Sequence, residues 1–186
     1  KVIRYLCDTF KDTIDINKQN NDGNTAFMFA IEHVEVIQYL CATFPDTIDI
    51  NKQNNYDETA LILAAKNAEK VIQYLCDAFK VTIDINKEDL YGYNAVMLAA
   101  EHNTDEKVIQ YLCDTFKDAI DINTQGEDGY TALMLAAKYN TNVAVIQYLY
   151  NTFKETIDIN IQNNEGYTAC MCSTINQNPS VMEYLY

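Results

Sequence analysis

Cys7, Cys41, Cys76 and Cys113 each follow the dipeptide Tyr-Leu, at steps of 34, 35 and 37 residues. A thiolate can attack a carbonyl or ligate zinc, and two thiols can pair as a disulfide. The spacing bears on all three. Zinc ligands come in close pairs, whereas these thiols come one per long interval. If the intervals are stacked structural units, neighbouring thiols stand roughly 8–10 Å apart, the separation of packed helices. A disulfide needs Cα atoms within about 7 Å. The four should therefore be free thiols near a core, which suits a reducing compartment and predicts a cytoplasmic protein. Cys170 and Cys172 form a Cys-x-Cys pair, which could hold a metal. No second pair or nearby histidine completes a site, and both align with core positions, Leu133 and Leu135. The two histidines, His33 and His102, fall in different intervals, and neither has a Ser or Cys with an orienting acid beside it. Only five glycines are present, most of them in turn-like dipeptides, so no phosphate-cradling loop is visible. The pattern predicts no catalytic constellation, no metal and no cofactor.

The 27 carboxylates outnumber the 13 lysines and arginines, and the net charge is −14. Nucleic acid and anionic lipid need basic side chains to replace their counterions, so both are disfavoured. A basic or neutral protein partner fits better, although the charge also serves solubility. No small-molecule substrate is implied. No apolar run reaches the length of a membrane span, and no signal-peptide pattern opens the chain.

What must position these residues is a repeat. "VIQYL" stands at Val36–Leu40, Val71–Leu75, Val108–Leu112 and Val145–Leu149, with variants at Val2–Leu6 and Val181–Leu185. Intervals of this length signal a solenoid or array. Each interval predicts two helices. The first is short and rich in Ala and Leu, as in Thr131–Lys138, and begins on a cap residue: Thr25, Thr59, Asn94, Thr131 or Thr168. The second carries an i, i+1, i+4, i+8 stripe such as Val108, Ile109, Leu112 and Phe116. Asp105, Asn142 and Asn178 are its caps, and Pro45 marks a stop in one copy. The phrase "IDIN" then follows, as at Ile48–Asn51, with its isoleucines facing one way and its aspartate the other. A polar segment with a turn comes next, at Asp22-Gly23, Asp128-Gly129 and Glu165-Gly166, where Gly supplies positive φ. Asp57 takes the place of that Gly in one copy.

Helix, turn, helix and a protruding arm, with "DG-x-T-A-L-x-x-A-A" and "V-I-x-Y-L … D-I-N", resembles the ankyrin repeat. The resemblance covers essentially the whole chain. It implies an all-α solenoid of stacked helix-turn-helix units with protruding β-turn arms. We read one array over 1–186: full repeats at 22–55, 56–90, 91–127 and 128–164, and partial ones at 1–21 and 165–186. It is expected to be a piece of a longer array. The family's "TPLH" is here "TAFM", "TALI", "NAVM", "TALM" and "TACM". The second helix is followed by a longer piece than the family has, so that helix should run almost a turn further. The helix-to-helix connection is expected to be short in the first two full repeats and long in the next two. Asp15, Asp49, Asp84, Asp121 and Asp158 should hold the arm's turn. Asn17, Asn51, Asn86, Asn123 and Asn160 should bond between neighbouring arms; in the resembled family this Asn can also be hydroxylated.

The resemblance also implies a binding face built from arm tips and first helices. The corresponding variable positions include Tyr56, Glu58, Leu90, Tyr91, Tyr93, Glu101, His102, Asp128, Tyr130, Tyr139 and Tyr167. Tyrosine at variable positions on a fixed scaffold suits recognition, since it adds contact area at low entropy cost. Tyr93, Tyr130 and Tyr167 share a slot just before a cap. They are either a row on the binding face or hydrophobic staples onto Leu98, Leu135 and Cys172. Glu101, Glu127 and Asp128 nearby would suit a partner offering Arg or Lys. The expected function is protein–protein interaction. The alternatives are a passive spacer, or a targeting arm for an enzyme whose catalytic domain lies elsewhere.

Overall fold

The computed structural model describes residues 2–67, 69–102, 105–176 and 179–185. Among these it forms eleven helices and no strand. The chain opens with α1 (Val2–Phe10), which aligns with the second helix of each later unit. Helix pairs follow: α2 (Ala26–Phe29) with α3 (Val34–Thr43), α4 (Ala60–Asn67) with α5 (Glu69–Phe79), and α6 (Ala95–His102) with α7 (Glu106–Phe116). The last two pairs are α8 (Ala132–Tyr139) with α9 (Val143–Phe153) and α10 (Ala169–Ser173) with α11 (Pro179–Leu185). First helices stack on first helices along the array, and second helices on second helices.

The periodic stripe forms the core. Ile37, Ile72, Ile109 and Ile146 are completely buried, as are Leu75, Leu112 and Leu149 one turn on. Burying each such side chain is worth roughly 1.5–3 kcal/mol. Ala64, Ala65, Ala99, Ala100, Ala136 and Ala137 also have zero exposure. Their methyl groups are small enough for adjacent first helices to approach closely.

The caps act as the sequence predicts. The side-chain oxygens of Thr25, Thr59, Asn94, Thr131 and Thr168 each accept the backbone N–H three residues on, at 3.0–3.4 Å. Asp105 and Asn142 cap α7 and α9 at 3.0 Å. Asn178 lies outside the described residues, but Pro179 does open α11. Helices α5, α7 and α9 run 11 residues each and carry on through Phe79, Phe116 and Phe153.

The first full repeat departs from expectation. Thr25 precedes Val36 by 11 residues, whereas Thr131 precedes Val145 by 14. The missing residues come out of helix one, not out of the connection. Helix α2 has four residues, and its C-cap N–H at Ala30 is shared between the Met28 and Phe27 carbonyls. His33 consequently sits at the N-cap position of α3, without a side-chain cap bond, and not near the end of a long first helix.

The repeated phrase roots the arms. The carboxylates of Asp15, Asp49, Asp84, Asp121 and Asp158 each accept the backbone N–H two residues later, at 2.9–3.1 Å. These are local turns, so the phrase is bent where alternation suggested extension. Asn17, Asn51, Asn86 and Asn123 each donate to a carbonyl of the next arm, at 2.6–2.9 Å. Further out the arms pair backbone to backbone, Asn55 to Asp22, Leu90 to Tyr56, Glu127 to Tyr91 and Asn164 to Asp128. At the tips Gly23, Gly92, Gly129 and Gly166 have φ of 74–85°, and Asp57 takes φ 56° in their place.

Candidate functional site

In the second to fourth full repeats, arm tips and first helices place two positions on one face: the residue before the cap and the residue seven after it. In the second full repeat these are Glu58 and Lys66, which form an ion pair at 2.6 Å. In the fourth they are Tyr130 and Lys138, with Nζ donating to the hydroxyl at 2.6 Å. Lys138 also lies over the rings of Tyr130 and Tyr139, at 4.5 and 4.9 Å from their centroids. In the third they are Tyr93 and Glu101. Tyr93 turns its hydroxyl across to donate to Asp128 of the next arm. Its ring lies where any side chain on Gly126 would be. Burial, then the hydrogen bond to Asp128, push the Tyr93 phenol well above the usual tyrosine range.

Six of the residues singled out in the sequence converge on one cleft: Tyr56, Glu58, Tyr91, Tyr93, Glu101 and His102 line a space of about 420 Å³. Three further lining residues were not foreseen: Lys66, Asp89 and Leu98. Lys66 was legible from the alignment, since it holds the same place after its cap as Lys138. Asp89 is buried, and its Oδ1 accepts the N–H groups of Tyr91 and Tyr93 at 2.9 and 3.0 Å, which fixes the arm beneath both rings. Tyr56 and Tyr91 are well exposed, at 59% and 67%.

The other five residues lie outside this cleft. Leu90 is an exposed arm-tip residue, and Tyr139 and Tyr167 are exposed too. Asp128 holds the Tyr93 hydroxyl. Tyr130 is buried at 5% exposure, so its ring is part of the core and does not continue a row with Tyr93 and Tyr167. The shared slot fixes where the Cα sits. The neighbouring arm decides how deep the ring goes.

The thiols sit where the period puts them. All six cysteines are free; Cys7, Cys76, Cys113 and Cys172 are buried, and Cys41 and Cys170 partly so. Burial pushes Cys76 and Cys113 up to about 12, which keeps them protonated and unreactive at neutral pH. Among the described residues no cluster of His, Cys, Asp and Glu is arranged to hold a metal ion.

The sequence profile of ankyrin repeats, three copies, matches residues 46–125 and 96–186, more than half of the chain. The chain belongs to the ankyrin-repeat family. No curated protein sequence matches it. Ankyrin repeats are generally protein–protein interaction modules, and they are typically non-catalytic. Among the described residues of this ankyrin array, no helix is long and apolar enough to cross a membrane.

Proposed function

We propose that this ankyrin array binds a protein partner on the concave face formed by its arm tips and first helices, in a reducing compartment such as the cytoplasm. The convergence of six variable positions on one cleft carries the reading. The repeated polar residues around them are committed to internal bonds: aspartates to their own turns, asparagines to the next arm, cap hydroxyls to helix starts. Tyr56, Tyr91 and His102 of the cleft stand where the repeats vary and keep exposed side chains. Exposed tyrosines there offer rigid contact area with a polar edge. Six free cysteines suit a reducing setting.

The test is selection of binders from a displayed random-peptide library against the folded array, followed by affinity measurement on variants. Tyr56→Ala and Tyr91→Ala should each weaken a selected binder by at least about 1 kcal/mol. Tyr150→Ala, at an exposed position on α9, should leave it unchanged. Binders that ignore both cleft substitutions, or no binders at all, would favour the passive-spacer alternative.

A further inference from the structure

The three central pairs on the first-helix face leave different remainders. Glu58 and Lys66 neutralise each other. Lys138 is held by Tyr130 and Tyr139. Between them stands Glu101, whose same-repeat partner Tyr93 has turned away to Asp128. The Glu101 side chain is only 19% exposed, and the one basic side chain of the described residues within 4 Å of its carboxylate is the His102 imidazole, at 3.8 Å. Among the described residues no hydrogen bond reaches its carboxylate. Its oxygens still reach solvent, since the one buried side-chain polar atom left without a partner among the described residues is Asn163 Nδ2, so they can exchange water for a partner's donor. In the same cleft, Tyr56 and Tyr91 are exposed, and Leu98 supplies an apolar wall.

This combination selects for a cation carried on an apolar stem. Tyrosine faces attract a guanidinium or ammonium electrostatically. The methylenes of Arg or Lys suit an apolar wall while the head group reaches the carboxylate. The chain's net charge of −14 draws such a group in. A bare divalent cation fits less well, because the other two carboxylates are committed: Glu58 to Lys66, and Asp89 to two backbone N–H groups. One carboxylate does not make a coordination sphere.

We propose that the cleft between the second and third full repeats receives a basic side chain, arginine or lysine, from an extended segment of the protein partner. The inference rests on the concave-face reading above and adds the chemistry of the contact. Glu101 meets the charge, Tyr56 and Tyr91 cover its flanks, and the Glu58–Lys66 pair bounds one side.

The experiment titrates isotope-labelled array with the capped peptide Gly-Ser-Gly-Arg-Gly-Ser-Gly and with its citrulline counterpart, which keeps the shape and loses the charge. Saturable amide shifts confined to the cleft, at 56–58, 91–93 and 101–102, are expected for the arginine peptide, with at least about tenfold weaker binding of the citrulline peptide. Tenfold is about 1.4 kcal/mol. Glu101→Gln should weaken the arginine peptide by a similar factor, whereas Glu155→Gln, exposed just beyond α9 and outside the cleft, should not. Lys66→Gln should strengthen binding by releasing Glu58. Equal binding of the two peptides, an unchanged Kd in Glu101→Gln, or unsaturable shifts spread over acidic residues would each overturn the proposal. The peptide comparison decides even if Glu101→Gln fails to fold. A library-selected partner that depends on Tyr56 but has no basic residue there would remove this inference and leave the concave-face reading standing.

Discussion

The roots of the arms and their tips belong to the same short segments, yet they follow opposite rules. At the roots, Asp-Ile-Asn recurs in all five copies. At the tips, the residue before the cap is Asn24, Glu58, Tyr93, Tyr130 and Tyr167 in turn. The difference lies in what each residue touches. Root side chains bond to backbone, their own two residues on or the next arm's carbonyl. Backbone is the same in every unit, so one residue type serves all copies. Tip side chains meet other side chains: Lys66, Asp128 or Lys138. Those partners change from unit to unit, and the tips change with them. Recurring positions therefore hold the array together, and drifting positions are open to a second use.

The strongest way to break this distinction is in the core. Leu75 is fully buried at a recurring position, and Leu75→Ala should cost about 2–5 kcal/mol in denaturant unfolding, from lost transfer energy plus the cavity left. Leu90, 47% exposed at a drifting position, should change stability by no more than about 0.5 kcal/mol on the same substitution. Similar losses at both would mean that the arm tips are as structural as the core.

Tyr130 and Tyr167 sharpen the comparison because they occupy one slot at different depths. Tyr130 is 5% exposed and also receives the Lys138 hydrogen bond; Tyr167 is 39% exposed. Tyr130→Ala should cost about 3 kcal/mol, and Tyr167→Ala under about 1. One copy of the slot is then structural, and another is left free of a structural role. Equal costs would restore a single role for the slot.

At the arm roots, Asn51 donates to the Thr82 carbonyl at 2.6 Å and accepts the Asp84 N–H at 2.9 Å. Asn51→Ala removes both bonds from a partly exposed site and should cost about 1–2 kcal/mol. Asn160 has the same place in its repeat, but among the described residues its side chain reaches no further arm, so Asn160→Ala should be close to neutral. A neutral Asn51→Ala would show that water replaces the inter-arm bonds without loss.

These cases also show how far the sequence could be read. Caps, core stripe, arm turns and the asparagine ladder were legible because each repeats with the period, and repetition marks what a unit does to itself or to backbone. Three features were not. Tyr39 and Tyr148 donate to Asp8 and Asp114 on the preceding second helix, but the aspartate's place in the next copy is held by Ala42, which hides the pattern. Asn140 and Asn176 look like loop residues. Both are buried, with side chains donating to the Ala100 and Ala137 carbonyls of the previous unit. The shortening of α2 was visible as a gap in the alignment, but periodicity does not say whether a helix or a loop gives up the residues. Of the cleft, six members were legible and their grouping was not, because grouping depends on which side chain each drifting neighbour happens to be.

The smallest expected effect concerns the Glu58–Lys66 pair, and it is the most direct test of whether tips are free for a second use. The pair is partly open to solvent, with side chains 15% and 32% exposed. At that exposure Coulomb attraction is screened and offset by the entropy of fixing two long side chains. A double-mutant cycle with Glu58→Gln and Lys66→Gln should give a coupling of about 0.2–1 kcal/mol, smaller at high salt because the ions are within reach of counterions. The single variants should unfold within about 1 kcal/mol of the parent. A coupling above about 2 kcal/mol that ignores salt would place the pair with the structural set, alongside the arm-root asparagines. The tips would then be fixed by the scaffold's own needs, and a partner could not trade with Lys66 for Glu58. A weak, salt-sensitive coupling is the condition under which the same two residues can hold each other in the free array and exchange partners in a complex.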